Sequence, residues 1–492
     1  MSAWDARLLT VPEAGLVLDL TDAPAGALPP GTDPLGAMAA LEQGAVANPD
    51  EQRQVGHYWL RAPERAPSAA QREAIRAAQT AAAAVSVQGV EQVLWIGIGG
   101  SALGPQLVQR WLAAPGQPEV YFLDNTDPDG ISTILRQVDP RRCVAVVVSK
   151  SGGTPETRNG MLAAMAHWEA AGLPFAPSAV AITGEGSRLD ALARRPEAPW
   201  RAVLPVWDWV GGRTSITGPV GLVLLRLLGA DSAAFLEGAA AVDRATRQTE
   251  HNPALALALA WGAAGGFRGD RALVVLPYRD RMDLLGRYLQ QLIMESLGKG
   301  LDRDGTEVLQ GLTVYGNKGS TDQHAFVQQV RDGRDDCFVH FVDTAAQGPR
   351  VAVDEGRFAD DHLVGFLLGT QAALRDAGRP SVRLQLPDCS ARSLGATVAL
   401  FERAVGLYAE LININAYHQP GVEAGKRAAR SALAELDRLG AALDSEPRTA
   451  EALGAMVGVE PRQAWRLLLH LAATGRATRT AASQPRDDTF TA

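Results

Sequence analysis

Cysteine is scarce in this sequence: Cys143, Cys337 and Cys389 are the only three in 492 residues. They are too few and too scattered for a disulfide framework or a zinc site, and they fit a reducing compartment. Long apolar runs are missing as well. The longest, residues 254–267, is rich in Ala and Gly and falls short of the roughly 18–20 residues that a membrane span needs. Residues 1–7 hold no basic stretch followed by an apolar one, so no secretory leader is expected. Positive charge is in deficit too. Lys+Arg number 47 against 55 Asp+Glu, a formal charge of −8 that repels polyanions as a whole. Together these absences predict a cytoplasmic protein with neither a membrane nor a nucleic-acid partner.

What is present is an ordinary globular composition, 46% hydrophobic and 21% charged. At about 100–200 residues per domain, the length predicts two to four domains. The first ninety or so residues read as mostly helical, with residues 71–85 rich in good helix formers. Short apolar runs then alternate with helical patterns: strands at 92–96, 120–123, 143–148 and 179–183, and helices at 102–114 and 161–171. The pattern restarts with strands at 271–276, 338–342 and 381–386 and helices at 284–297 and 394–412. Apolar β-branched runs alternating with helices predict an α/β fold of two doubly wound parallel sheets. The expected layout is an N-terminal arm at 1–45, sheet domains at 46–235 and 236–430, and a helical appendage at 431–492. Residues from 480 onward are polar and expected to fray.

Two loops of the first sheet look built for a phosphate. Gly97-Ile-Gly99-Gly100-Ser101-Ala102 follows the first strand. It also satisfies the loose dinucleotide pattern G-x-G-x-x-G/A, with Asp124 where a ribose-binding acid could sit, so a nicotinamide enzyme is a rival reading. The third strand runs into Ser149-Lys150-Ser151-Gly152-Gly153-Thr154-Pro155-Glu156. Thr154 and Pro155 suit a helix start, and Glu156 suits its positive end. A capped helix explains those residues but not the gathering of Ser149, Lys150 and Ser151 at a strand's carboxyl end, where ligands bind in open α/β sheets. Two such loops favour a phosphorylated small molecule over a dinucleotide.

Arg287, Gln291, Glu295 and Lys299 recur every four residues along the helix at 284–297 and so share one side of it. Taken alone, this is a solvated stripe. It gains interest from Gly211-Gly212-Arg213, from His324 in a polar loop, and from Gln419, Glu423 and Lys426 around Pro420-Gly421.

The blocks IGIGGSALGP, SKSGGTPET, VGGRTS, QQLIMESLGK, GSTDQHAF and QPGVEAGK occur in that order. Over roughly residues 45–430 the chain therefore resembles the glucose-6-phosphate isomerase (phosphoglucose isomerase) family, bacterial type. The resemblance implies two sugar-isomerase domains, a homodimer with shared active sites, and reversible isomerisation of glucose 6-phosphate and fructose 6-phosphate in glycolysis and gluconeogenesis, with no metal or redox cofactor. It implies that Ser101, Ser149, Lys150, Ser151 and Thr154 hold the phosphate. Glu295 would carry the proton between C1 and C2, and Arg213 would stabilise the enediolate. His324, given by the partner subunit, and Lys426 would open the ring. Gly100, Gly212, Glu156, Gln291 and Gln419 would line the site. The chain departs from animal members at Gly152-Gly153 and Pro420, and from many members at Ala102. The glycine-lined loop leaves room for mannose 6-phosphate.

Residues 448–471 have a helix-turn-helix look, which makes a sugar-phosphate-sensing regulator a second reading. Residues 431–492 hold seven Arg, no Lys and eight Asp+Glu, whereas a DNA reader should be basic. The appendage is therefore expected to be structural.

Overall fold

The computed structural model describes residues 7–346 and 348–492, and the backbone alone of Val422, Glu423 and Ala424. Of the N-terminal stretch read for a leader, all but Arg7 lies outside them. The chain divides into two compact units, the first ending at His418 and the second running from Gln419 to Ala492.

Among the described residues the larger unit holds two large sheets and three two-stranded ones. In the first, five parallel strands lie in the order Glu119–Leu123, Gln92–Ile96, Cys143–Ser149, Ala179–Thr183, Ala202–Pro205. Numbered along the chain this is 2-1-3-4-5, so the winding reverses between Gln92–Ile96 and Cys143–Ser149. Both strands are buried throughout, which is why they read as unbroken apolar runs. In the second sheet Val314–Tyr315, Ala272–Pro277, Cys337–Thr344 and Ser381–Leu386 are parallel neighbours in that order. Chain order is again 2-1-3-4.

The second sheet is not purely parallel. Leu8–Val11 and Leu16–Asp19 form an antiparallel hairpin that pairs with its edge strand Ser381–Leu386. The segment expected to be a helical arm thus supplies two strands. Leu16 and Leu18 are fully buried while Val17 and Asp19 are not, the alternation of a half-buried strand. The run at 254–267 forms the helix Pro253–Ala264, whose Leu257, Ala258 and Trp261 are wholly inside. Among the described residues no helix is long and apolar enough to cross a membrane.

The helix Ala391–Leu411 is buried along nearly its whole length and brings two charges into the core, Glu402 and Arg403. Asp243 accepts from Arg61 Nε at 2.7 Å and Nη2 at 2.8 Å, and from Arg403 Nε at 2.7 Å. Arg61 also pairs with Glu402, and Arg403 Nη1 donates to Glu42 at 2.5 Å. The two arginines hold the Asp243 carboxyl well below its ordinary range despite its burial. Burial pushes Glu402 up to about 7 against the pull of Arg61.

The C-terminal unit orders its elements as helix Pro420–Ala442, strand Arg448–Thr449, helices Ala450–Val457 and Pro461–Ala473, then strands Thr478–Thr480 and Thr489–Thr491. The last strand pairs antiparallel with both of the others. The end of the chain is therefore a paired hairpin rather than a frayed tail. Phe490, 1% exposed, anchors it in a core with Leu439, Leu453, Leu468 and Leu471.

Candidate active site

Open α/β sheets bind ligands beyond the carboxyl ends of the strands where the winding reverses. In the first sheet both phosphate-like loops leave the two strands that flank that point. The loop after Ile96 makes a short turn at Gly99–Ser101 and enters the helix Leu103–Trp111. Gly100 packs directly on Gly212. A β-carbon on Gly100 would lie 2.1 Å from the Gly212 carbonyl carbon and 2.7 Å from the Arg213 nitrogen, so only glycine fits. This contact joins IGIGG to VGGRT, and Ser215 Oγ donates to Gly212 O at 2.8 Å beside it. Gln291 closes the third side, its Nε2 3.1 Å from where a Gly99 β-carbon would stand.

The loop after Ser149 is equally constrained. Gly152 sits at φ +63° against Leu189, where a β-carbon would come within 2.6 Å of the Leu189 nitrogen. Thr183 Oγ1 donates to Ser149 O at 2.7 Å and ties the loop to the next strand. Thr154 and Pro155 stand at the start of the helix Pro155–Ala170 as the sequence suggests, but Thr154 does not cap it. Its hydroxyl accepts instead from Ser149 Oγ at 3.2 Å. Ala102 cannot cap the helix at Leu103 either. Both helices so begin with first-turn N–H groups lacking a side-chain acceptor, the arrangement that receives an anion. Ser151 accepts from Gly153 N at 3.2 Å, and the exposed loop leaves its hydroxyl proton to solvent. Glu156 lies in the first turn, partly exposed. Ser101 is partly exposed and its carbonyl accepts from Trp95 Nε1 at 2.7 Å.

Lys150 is held more firmly than its sequence position suggests. Its ammonium donates to Asp208 O and Val210 O, each at 2.9 Å, and pins the loop that carries Trp207 and Trp209. Burial, with a smaller push from Arg53, pulls it down to about 8.

Glu295 closes a π-helical turn, Gln290–Glu295, that follows the α-helical turn Leu285–Leu289. A π-turn inserts a residue and is frequent at functional sites. The four-residue stripe does not hold: Arg287 is exposed, whereas Lys299 lies past the helix at the start of the strand Lys299–Leu301, is buried, and donates to Glu295 O at 2.9 Å and Ser296 O at 2.6 Å. Burial pulls Lys299 down to about 8 as well, with Arg213 adding to the fall. Among the described residues Glu295 Oε2 is buried, has no hydrogen-bond donor, and meets the Arg213 guanidinium at 3.5 Å. Arg213 is itself buried, donating from Nε to Ser296 Oγ at 2.7 Å and from Nη2 to Ala416 O at 2.5 Å. Burial lowers its proton affinity and the Glu295 carboxylate restores part of it. A carboxylate with an open lone pair beside a fixed cation can take a proton from carbon while the cation steadies the resulting oxyanion.

The model of phosphoglucose isomerase as a family matches residues 38–374 and 370–452. This chain belongs to the phosphoglucose isomerase family. It is 52% identical over 462 residues to a glucose-6-phosphate isomerase of Citrifermentans bemidjiense, covering 89% of this chain and 87% of that one. A glucose-6-phosphate isomerase of Geobacter sulfurreducens is 50% identical over 501 residues, covering 96% and 94%. Among solved structures, a hypothetical protein from Thermus thermophilus superposes with TM-score 0.71 and 31% identity, over 82% of this chain and 94% of that one. A glucose-6-phosphate isomerase from Chlamydia trachomatis shares the fold with TM-score 0.78 at 24% identity, over 92% of each chain.

Within this phosphoglucose isomerase fold the structure gathers Gly100, Gly212, Arg213, Gln291 and Glu295, and separately Ser149, Lys150, Ser151 and Thr154 on the neighbouring loop. His324 ends the short turn Thr321–His324, is exposed, and makes no bond to Glu295 or Arg213. Gln419 and Lys426 belong to the C-terminal unit, at the N-cap and on the exposed face of the helix Pro420–Ala442. The Glu423 side chain lies outside the described residues. Asp124, the acid of the dinucleotide reading, already accepts from Gln106 at 2.8 Å. Ser296 and the carbonyls of Asp208, Val210 and Ala416 escaped the sequence reading; backbone acceptors leave no residue-type signal. A hollow lined by Ile131, Leu135, Asn159 and His167 contains none of the site residues.

Proposed function

We infer that this protein interconverts glucose 6-phosphate and fructose 6-phosphate through an enediolate. Glu295 Oε2, buried beside the Arg213 guanidinium, carries this reading together with the family match. The two uncapped helix starts and Ser101, Ser149, Ser151 and Thr154 hold the phosphate, and Lys150 supplies positive charge. Anchoring the phosphate far from C1 and C2 contributes binding energy that orients the reacting carbons. Once the ring is open, Glu295 takes the proton from one carbon and returns it to the other. Gly100, Gly212, Glu156, Gln291 and Gln419 line the sugar. His324 and Lys426 shuttle the proton that opens the ring, His324 coming from a second copy in a homodimer, in keeping with its exposed turn. The cytoplasm is the setting of this reading.

The test is conversion of fructose 6-phosphate to glucose 6-phosphate, read with a coupled dehydrogenase. Robust turnover is expected, and its absence in a folded protein that binds the sugar phosphate overturns the reading in favour of a sensor. Arg213→Met is expected to lower kcat by about 10²–10³-fold with little change in KM, because a fixed cation stabilises charge that exists only in the transition state.

Lys150 gives a pH signature. Its ammonium, drawn down to about 8, loses charge as pH rises through that value, so kcat/KM should fall above pH 8. Lys150→Arg should flatten that limb, since arginine stays charged. A limb that persists in Lys150→Arg and vanishes in Lys299→Arg would move the titration to Lys299, also near 8.

A further inference from the structure

The family model stops at residue 452, although the Geobacter sulfurreducens relative aligns with 96% of the chain, and the chain continues into a helix-turn-helix with a hairpin. The helices Ala450–Val457 and Pro461–Ala473 are joined by Gly458 at φ +70°, which caps the first of them. They cross at Gly454, where a β-carbon would stand 2.6 Å from Val459 O and 3.2 Å from the Ala464 β-carbon. The hairpin is fastened to the second helix by one buried carboxylate. Asp488 accepts from Trp465 Nε1 at 3.1 Å, Arg479 Nε at 2.9 Å and Ala482 N at 2.8 Å. The loop between the last two strands is thereby a fixed wing beside the second helix.

Charge is sorted within this unit. From Pro461 to Arg486 the chain carries Arg462, Arg466, Arg476, Arg479 and Arg486 and no Asp or Glu. Of the eight acids in residues 431–492, Glu435, Asp437, Asp444, Glu446, Glu451 and Glu460 precede the second helix, while Asp487 and Asp488 lie in the wing and pair with Arg486 and Arg479. Arg462, Arg466 and His470 are exposed at four-residue spacing, opposite the buried Ala464, Leu468 and Leu471. Among the described residues neither Arg462 nor Arg466 makes an ion pair. Arg476 and Arg486 are exposed on the wing side.

We propose that the C-terminal unit binds double-stranded DNA, laying the helix Pro461–Ala473 in the major groove and its wing along the phosphates. A helix about 10–12 Å across fits a major groove about 12 Å wide. Arg462, Gln463 and Arg466 lie in its N-terminal half, the part of a recognition helix that meets base edges. The major groove of duplex RNA is too narrow and deep for such a helix, which favours DNA. The net charge of −8 does not forbid this, since beyond about 10 Å it is screened at 0.1 M salt while close Arg–phosphate contacts persist.

The experiment is fluorescence anisotropy of a labelled random-sequence DNA duplex of about 30 base pairs, titrated with the full chain at several salt concentrations. Wild type should bind with a steep salt dependence. The double variant Arg462→Ala, Arg466→Ala should bind at least tenfold more weakly, with isomerase turnover unchanged. No binding by wild type at about 50 mM salt and about 100 μM protein overturns the proposal. So does equal affinity for the matching RNA duplex, or unchanged DNA binding by the double variant.

Discussion

Glu295→Gln is expected to lower kcat by about 10²–10⁴-fold while KM for fructose 6-phosphate changes little, the range a positioned general base contributes. The amide keeps the carboxylate's shape, and Glu295 lies at the end of a π-turn held by Lys299 through the backbone rather than through its own side chain. Removing the charge therefore leaves the turn's hydrogen bonds in place. What changes is Oε2, the buried acceptor 3.5 Å from Arg213, which no longer takes a proton. Steady-state kinetics of both proteins, with matched thermal melts, measure the effect. A variant as active as wild type would remove Glu295 as the base without touching the family.

Asp243→Asn should destabilise the fold by about 3–5 kcal/mol, because losing one partner strands buried charges. Arg61 and Arg403 both donate to Asp243, and all three side chains are 2% exposed or less. The asparagine would remove the carboxylate the two guanidinium groups share, leaving Arg61 with Glu402 and Arg403 with Glu42. The Asp243 carboxyl titrates below its ordinary 3.8, so its contribution is complete above that value and drains away as pH falls further. Glu402 runs the other way. Raised to about 7, it favours the folded state while protonated and loses that contribution as pH rises through 7. Glu402→Gln should accordingly cost far less at neutral pH than Asp243→Asn, with urea midpoints as the comparison. Equal costs would contradict this reading of the network.

Nothing in the sequence announces this network, since Glu42, Arg61, Asp243, Glu402 and Arg403 come from distant segments and read as surface charges one at a time. The strands were legible for the opposite reason. Cys143–Ser149 is buried on both faces, and burial writes itself as an unbroken apolar run. The N-terminal hairpin was hidden because Leu8–Val11 and Leu16–Asp19 are four residues each, too short for their period to stand out. The stripe from Arg287 to Lys299 assumed α-helical spacing throughout, but the helical segment ends before Lys299, which begins the strand Lys299–Leu301 and is buried. Gly100, Gly212, Arg213, Gln291 and Glu295 were all named from motifs, while the contact between Gly100 and Gly212 required the fold. The sum over residues 431–492 hides that five of the seven arginines fall between 461 and 486.

The central claim is proton transfer by Glu295 through an enediolate, and conversion of fructose 6-phosphate in D₂O, followed by NMR, tests it most directly. The account predicts glucose 6-phosphate carrying solvent deuterium at C2, with turnover and label lost together in Glu295→Gln. Turnover and solvent label that both survive undiminished in Glu295→Gln would contradict it.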